Sequence, residues 1–195
     1  MIGEDKMRVR RSAAIPKKII RLPKSAGMPR SKVMSIYKAE VNRLHNKQSA
    51  VISQRNVTIG TDDRWANGLV INRDPAWVQV ADADYLWSSR DPNGAFAVVS
   101  RRFTLSSRRS ILSGSLFLSV DNYAVVVING RIVVYDAPQN TPAFFNPGRT
   151  FNIRNSLRRG FNTIVIVAFN FGAPRSPSNP AGVAARLNIR LSTLQ

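Results

Sequence analysis

The 195-residue chain has no cysteine, so disulfides and thiolate metal sites are excluded and the fold must stand on packing alone. Its one histidine, His45, lies outside the strand-rich second half, which leaves a Ser-His-Asp or Cys-His arrangement there without its base. Acids are scarce, 11 against 29 lysines and arginines, and beyond residue 60 all of them are aspartates. No run of about 18 apolar residues occurs, as a membrane-spanning helix would need. The N-terminal MIGEDKMRVRR lacks the apolar middle of a secretory signal, and Glu4 and Asp5 argue against a mitochondrial presequence. The expected location is intracellular or within a virion, without classical secretion.

What is present is positive charge, unevenly spread. The formal net charge is +18. Residues 1–60 carry 14 lysines and arginines against 3 acids, and all seven lysines lie at or before Lys47. Residues 1 to about 30, with Pro16, Pro23 and Pro29 between basic clusters, show no apolar period and read as an extended arm. Such an arm orders only against a polyanion or a partner surface, whether nucleic acid, an anionic membrane or acidic protein, or else it only solubilises. Its candidate contact residues are Arg8, Arg10, Arg11, Lys17, Lys18, Arg21, Lys24 and Arg30.

Ser31 is a plausible N-cap for a helix over about 31–46. Val33, Met34, Tyr37, Val41 and Leu44 recur at helical spacing as one apolar stripe, able to cover the chain's own β domain, another subunit or a membrane surface. His45 at its end reads as a capping charge. Residues 48–72 read as a connector, with one strand at 50–52 or 57–59 and a domain boundary near 56, so that 1–56 is the arm and 57–195 the β domain.

The clearest local signal is Ser115 to Asp136. Leu116, Leu118 and Val120 alternate with Phe117 and Ser119, as a half-buried strand requires. Val125–Ile128 meets Arg131–Val134 across Asn129-Gly130, the pair that best tolerates a type I′ turn. Further strands are expected at 77–80, at 95–105 with a bulge or edge at Arg101-Arg102, at 151–153, at 163–169 and at 184–191. The run TIVIVAF (163–169) is apolar almost throughout and should be covered on both faces. In the last strand Ala185, Leu187, Ile189 and Leu191 point inward. The expected fold is all-β: a two-sheet antiparallel sandwich of jelly-roll type behind a basic arm and one short amphipathic helix.

The series Ala76-Trp77, AFAVVSRRFTL (95–105), SLFLSVDNYAVVVINGRIV (115–133), FNIRNSLRRGFNTIVIVAFN (151–170) and NPAGVAARLNI (179–189) resembles the galactose-binding-domain-like β-sandwiches appended to glycoside hydrolases. The likeness covers about residues 76–193. Its motifs are scaffold motifs: Asn129-Gly130 makes a turn, Gly160 and Asn162 reverse the chain, and Pro180 and Gly182 shape a loop. The resemblance implies a sandwich and, through loop residues that vary among members, a possible glycan ligand, but it carries over no ligand residue. The basic N-terminal region has no counterpart in that family; an arm joined to a sandwich is similar in architecture to icosahedral capsid proteins.

No convergent acid–base pair stands out, and the expectation is a non-enzyme with no cofactor. Asp82-x-Asp84 with Asp91 could supply oxygen ligands for calcium, but these read as solvated loop acids and no metal site is assigned. Tyr85 and Trp87 are the candidate glycan platform. The arginine pairs 101–102, 108–109 and 158–159 read as surface. Three readings follow. A structural virion component, its arm and helix tethering the sandwich to other capsid subunits, accounts for both halves. A glycan-binding module accounts for the sandwich, and a nucleic-acid-binding arm accounts for the charge.

Overall fold

The computed structural model describes residues 28–136, 144–171 and 174–193. Thirteen elements follow in order: α1 (Arg30–Leu44), β1 (Val51–Ile52), β2 (Asn56–Gly60), β3 (Gly68–Ile71), β4 (Tyr85–Ser88), β5 (Phe96–Leu105), β6 (Ile111–Asp121), β7 (Tyr123–Ile128), β8 (Arg131–Tyr135), β9 (Phe144–Asn152), a 3-10 turn (Arg154–Ser156), β10 (Gly160–Phe169) and β11 (Gly182–Leu191). The strands form two sheets, one ordered β1-β5-β10-β7-β8 and the other β3-β4-β11-β6-β9. In the second sheet β2 pairs with β11 over Arg186–Arg190, and β4 meets the same strand at Val183, so the two share one edge in tandem. All pairings are antiparallel except the short β1–β5 contact.

The alternation expected of Ser115–Asp136 fixes the core. Leu116, Leu118 and Val120 are fully buried between the sheets with Ile164, Ile166, Leu187 and Ile189. Asn129 (φ 50°) and Gly130 (φ 81°) both take the left-handed region, the backbone a type I′ turn demands. β10 is covered twice: Ile164 and Ile166 face the core while Val165 and Val167 face α1. That double burial is why its sequence shows no polar alternation.

Several boundaries differ from expectation. The helix starts at Arg30, flanked by Pro29, and Ser31 supplies no cap; its backbone carbonyl instead accepts from Ser35 Oγ at 3.1 Å. The helix, which sequence reading places before the β domain, packs on the outer face of the five-stranded sheet, and β1 pairs with β5. Residues 50–52 and 57–59 both supply strand, in β1 and β2. Trp77–Val80 is not a strand. There Trp77 stacks on Tyr85 with ring centroids 4.8 Å apart, and together with Val80 they roof the outer face of β11 at Ala184. Arg101-Arg102 makes no bulge, because β5 keeps continuous register with β10 from Phe96 to Leu105; the edge alternative holds, since β1 pairs with β5 only at Thr104 and Leu105.

Candidate functional site

The helix stripe is spent within the chain. Val33 and Leu44 are buried, and Met34 and Tyr37 pack with Val33 against Val125, Val127, Val165 and Val167 on the outer face of the five-stranded sheet; Val41 is half-buried. Burying such side chains is worth about 1.5–3 kcal/mol each, so this stripe is not a free subunit interface. Arg102 donates to the Leu44 and His45 carbonyls, so a strand arginine supplies the cation at the helix C-terminus. Arg30 places its guanidinium 4.9 Å from the centroid of the Tyr135 ring. The other arm candidates, Arg8, Arg10, Arg11, Lys17, Lys18, Arg21 and Lys24, lie outside the described residues.

Tyr85 and Trp87 form no platform. They are 3% and 0% exposed, since successive β4 side chains are covered on opposite faces: Tyr85 by Trp77, Trp87 by the core between the sheets. Tyr85 Oη donates to the Val78 carbonyl, and Trp87 Nε1 donates to the Gly94 carbonyl. Among the described residues no group of three or more His, Asp or Glu converges as a metal site would require.

The acids do structural work. Glu40 on α1 is buried, accepts from Ser100 Oγ at 2.6 Å and from Asn67, and pairs with Arg43. Burial alone would raise its pKa, but the hydrogen bonds from Arg43, Ser100 and Asn67 and the Arg43 charge hold it below the ordinary value. Asp121, at the end of β6, accepts from Trp77 Nε1 at 3.0 Å. Here burial prevails over the hydrogen bond and pushes its pKa up, with Asp74 adding to the rise.

Trp77 and Asp121 lie behind a cleft at this end of the sandwich. It has a volume of about 410 Å³ and lies between residues 72–77, Asn93 and residues 175–180. Arg73 is held by the carbonyls of Asp74 and Trp77, while Arg175 Nε donates to the Ala181 carbonyl at 3.1 Å. The Arg175 backbone N–H donates to the Asn93 carbonyl at 3.0 Å, tying two of the walls together. Asn72 and Asn93 are exposed at the rim, Asp74 and Ser176 are half-buried, and Trp77, Pro177 and Pro180 supply the apolar lining. A second depression of about 400 Å³ shares Asn72 and Arg73 and continues to Gln79, Asp84 and Tyr85. Preformed concave sites of this size, apolar below and polar at fixed points, suit small polar ligands. Sequence reading missed the cleft because its walls come from segments about a hundred residues apart; the available signal was the Asn, Asp and Arg content of the loops around Trp77.

Fold and cleft together define a two-sheet β-sandwich whose loops form a polar, preorganised depression at one end. No protein-family model matches the chain, and no curated protein does. Solved structures give weak matches. An α-L-rhamnosidase from Streptomyces avermitilis, complexed with L-rhamnose, is 18% identical over 67% of this chain and 11% of its own, with a TM-score of 0.42. A β-glucuronidase from an uncultured Clostridium is 11% identical over 74% of this chain and 30% of its own, with a TM-score of 0.42. A family 35 carbohydrate-binding module from Clostridium thermocellum is 10% identical over 67% of this chain and 97% of its own, with a TM-score of 0.36. The chain thus spans only a small part of the hydrolases it matches. The sandwich itself is read from the chain's own strand pairing.

Proposed function

We propose that this chain is a non-catalytic glycan-binding module and that the cleft beside Trp77 takes the sugar. The cleft geometry carries the reading. Vicinal hydroxyls need donors and acceptors side by side, and Arg73, Arg175, Asn72, Asn93 and Asp74 supply both around an apolar lining. Because the two guanidinium groups are already held by backbone carbonyls, little side-chain ordering remains for the ligand to bring about. The contiguous second depression favours an oligosaccharide over a single ring.

The reading as a virion component loses one of its two supports, since the helix meant to reach a neighbouring subunit covers the chain's own sheet. The test is a glycan array probed with the full chain, followed by calorimetric titration of the selected oligosaccharide. Asn93→Ala and Asn72→Ala, both at exposed positions, should abolish or strongly weaken binding with no change in melting temperature. No binding to any glycan on the array would reject the reading.

A further inference from the structure

After Asp136 the chain contains no acid to its last residue, and none occurs between Glu40 and Asp62. The register brings these acid-free segments to one end of the sandwich, opposite the cleft. Leu105 at the end of β5 pairs with Gly160, Ile111 at the start of β6 pairs with Leu191, and Asn56 at the start of β2 pairs with Arg190. The Asn129-Gly130 turn and the 3-10 turn complete that end. Arg55, Arg108, Arg154, Arg158, Arg159 and Arg190 are all exposed there.

The loops that carry them are fixed. Asn129 Nδ2 donates to Asn162 Oδ1 at 2.8 Å, and Asn162 in turn donates to the Arg158 carbonyl and accepts from the Arg158 backbone N–H. Arg109 donates to the Ser192 carbonyl, and Arg131 Nη1 donates to the Asn155 carbonyl at 2.7 Å. A second feature lies beside this cluster. Phe161, the second residue of β10, is 52% exposed and has the Arg102 guanidinium 3.9 Å from its ring centroid.

We infer that this arginine end is a binding surface for single-stranded nucleic acid. Guanidinium groups on rigid loops match phosphate oxygens as paired donors; Arg154, Arg158 and Arg159 each give one N–H to a backbone carbonyl and keep the rest of the fork for a ligand. An exposed aromatic ring next to a phosphate-binding cluster is what a base needs for stacking, and it favours a single strand over a duplex or an acidic polysaccharide. The surface lies at the opposite end of the sandwich from the cleft.

The test is fluorescence anisotropy of a labelled oligo(dT) with the full chain, over a series of salt concentrations. Charge reversal at Arg108, Arg158 and Arg159 together should weaken binding at least tenfold. It should also lower the slope of log affinity against log salt by about two. Phe161→Ala should weaken binding severalfold with the salt slope unchanged, while size-matched heparin binding should be indifferent to it. Circular dichroism and melting curves establish that each variant is folded, and Arg154→Glu with Arg190→Glu gives a second charge variant outside the 158–162 loop. The inference is overturned if both charge variants bind oligo(dT) as the native chain does while arm variants at Arg8, Arg10 and Arg11 do not. It is equally overturned if Phe161→Ala leaves oligo(dT) affinity untouched.

Discussion

The two ends of this sandwich are built from the same strands and differ in what the loops carry. At one end Asp74 and Asp121 lie around Trp77, and the two arginines of the cleft, Arg73 and Arg175, are turned onto backbone carbonyls. At the other end the exposed arginines also give an N–H to backbone carbonyls, as Arg154, Arg158 and Arg159 do, but no acid lies among them. Charge at the first end stands beside acids, whereas charge at the second has no acid to offset it and remains available to a partner. The +18 of the whole chain therefore says less than where its acids stop.

The contrast predicts a graded set of outcomes. Trp77→Ala should have the largest effect, about 3–5 kcal/mol of stability, because it removes a buried ring, its stack on Tyr85 and its bond to Asp121. Chemical denaturation of the variant would measure this, and a loss below about 1 kcal/mol would mean that the loop does not depend on the tryptophan. Next comes Glu40, the one described acid on α1. Glu40→Gln should cost about 1.5–3 kcal/mol at neutral pH, as expected for hydrogen bonds to a charged group. Because its folded pKa lies below the unfolded one, its contribution is present above the ordinary glutamate value and is lost as pH falls through the folded value. The native-minus-variant stability difference should therefore shrink on acidification.

Asp121 should behave in the opposite sense. Its folded pKa is raised, so the folded state holds the proton more tightly and native stability falls as pH rises between the ordinary aspartate value and the raised one. Asp121→Asn retains an acceptor for Trp77 Nε1 without the buried charge. Its melting temperature should equal or exceed that of the native chain at neutral pH and show no such fall. Smallest of all, Arg108→Glu with Arg159→Glu should change stability by less than about 0.5 kcal/mol, since both side chains are exposed. A larger loss would make the arginine end a structural element.

How much of this was legible beforehand follows from the range of each signal. The Asn129-Gly130 turn and the alternation of Leu116, Leu118 and Val120 are local, and both were readable. The continuous apolar run of β10 announced a strand covered on both faces, and α1 proved to be one of the covers. The stripe on α1 was visible too, yet an amphipathic period does not say which surface it meets. Trp77 was misplaced because an aromatic beside Val78 and Val80 fits strand propensity, while its role as a roof depends on Tyr85 and Ala184 across the sheet. Tyr85 and Trp87 looked like a platform because aromatic type carries no exposure. The cleft and the arginine end were both hidden, since each is assembled by β5, β10 and β11 from loops distant in sequence.

The most direct test of the account is calorimetric titration of the array-selected oligosaccharide into three proteins: the native chain, Asn93→Ala and Arg159→Glu. The account predicts that binding survives in Arg159→Glu with unchanged affinity and is lost in Asn93→Ala. Retention in Asn93→Ala together with loss in Arg159→Glu would contradict it, and would move the sugar from the cleft to the arginine end.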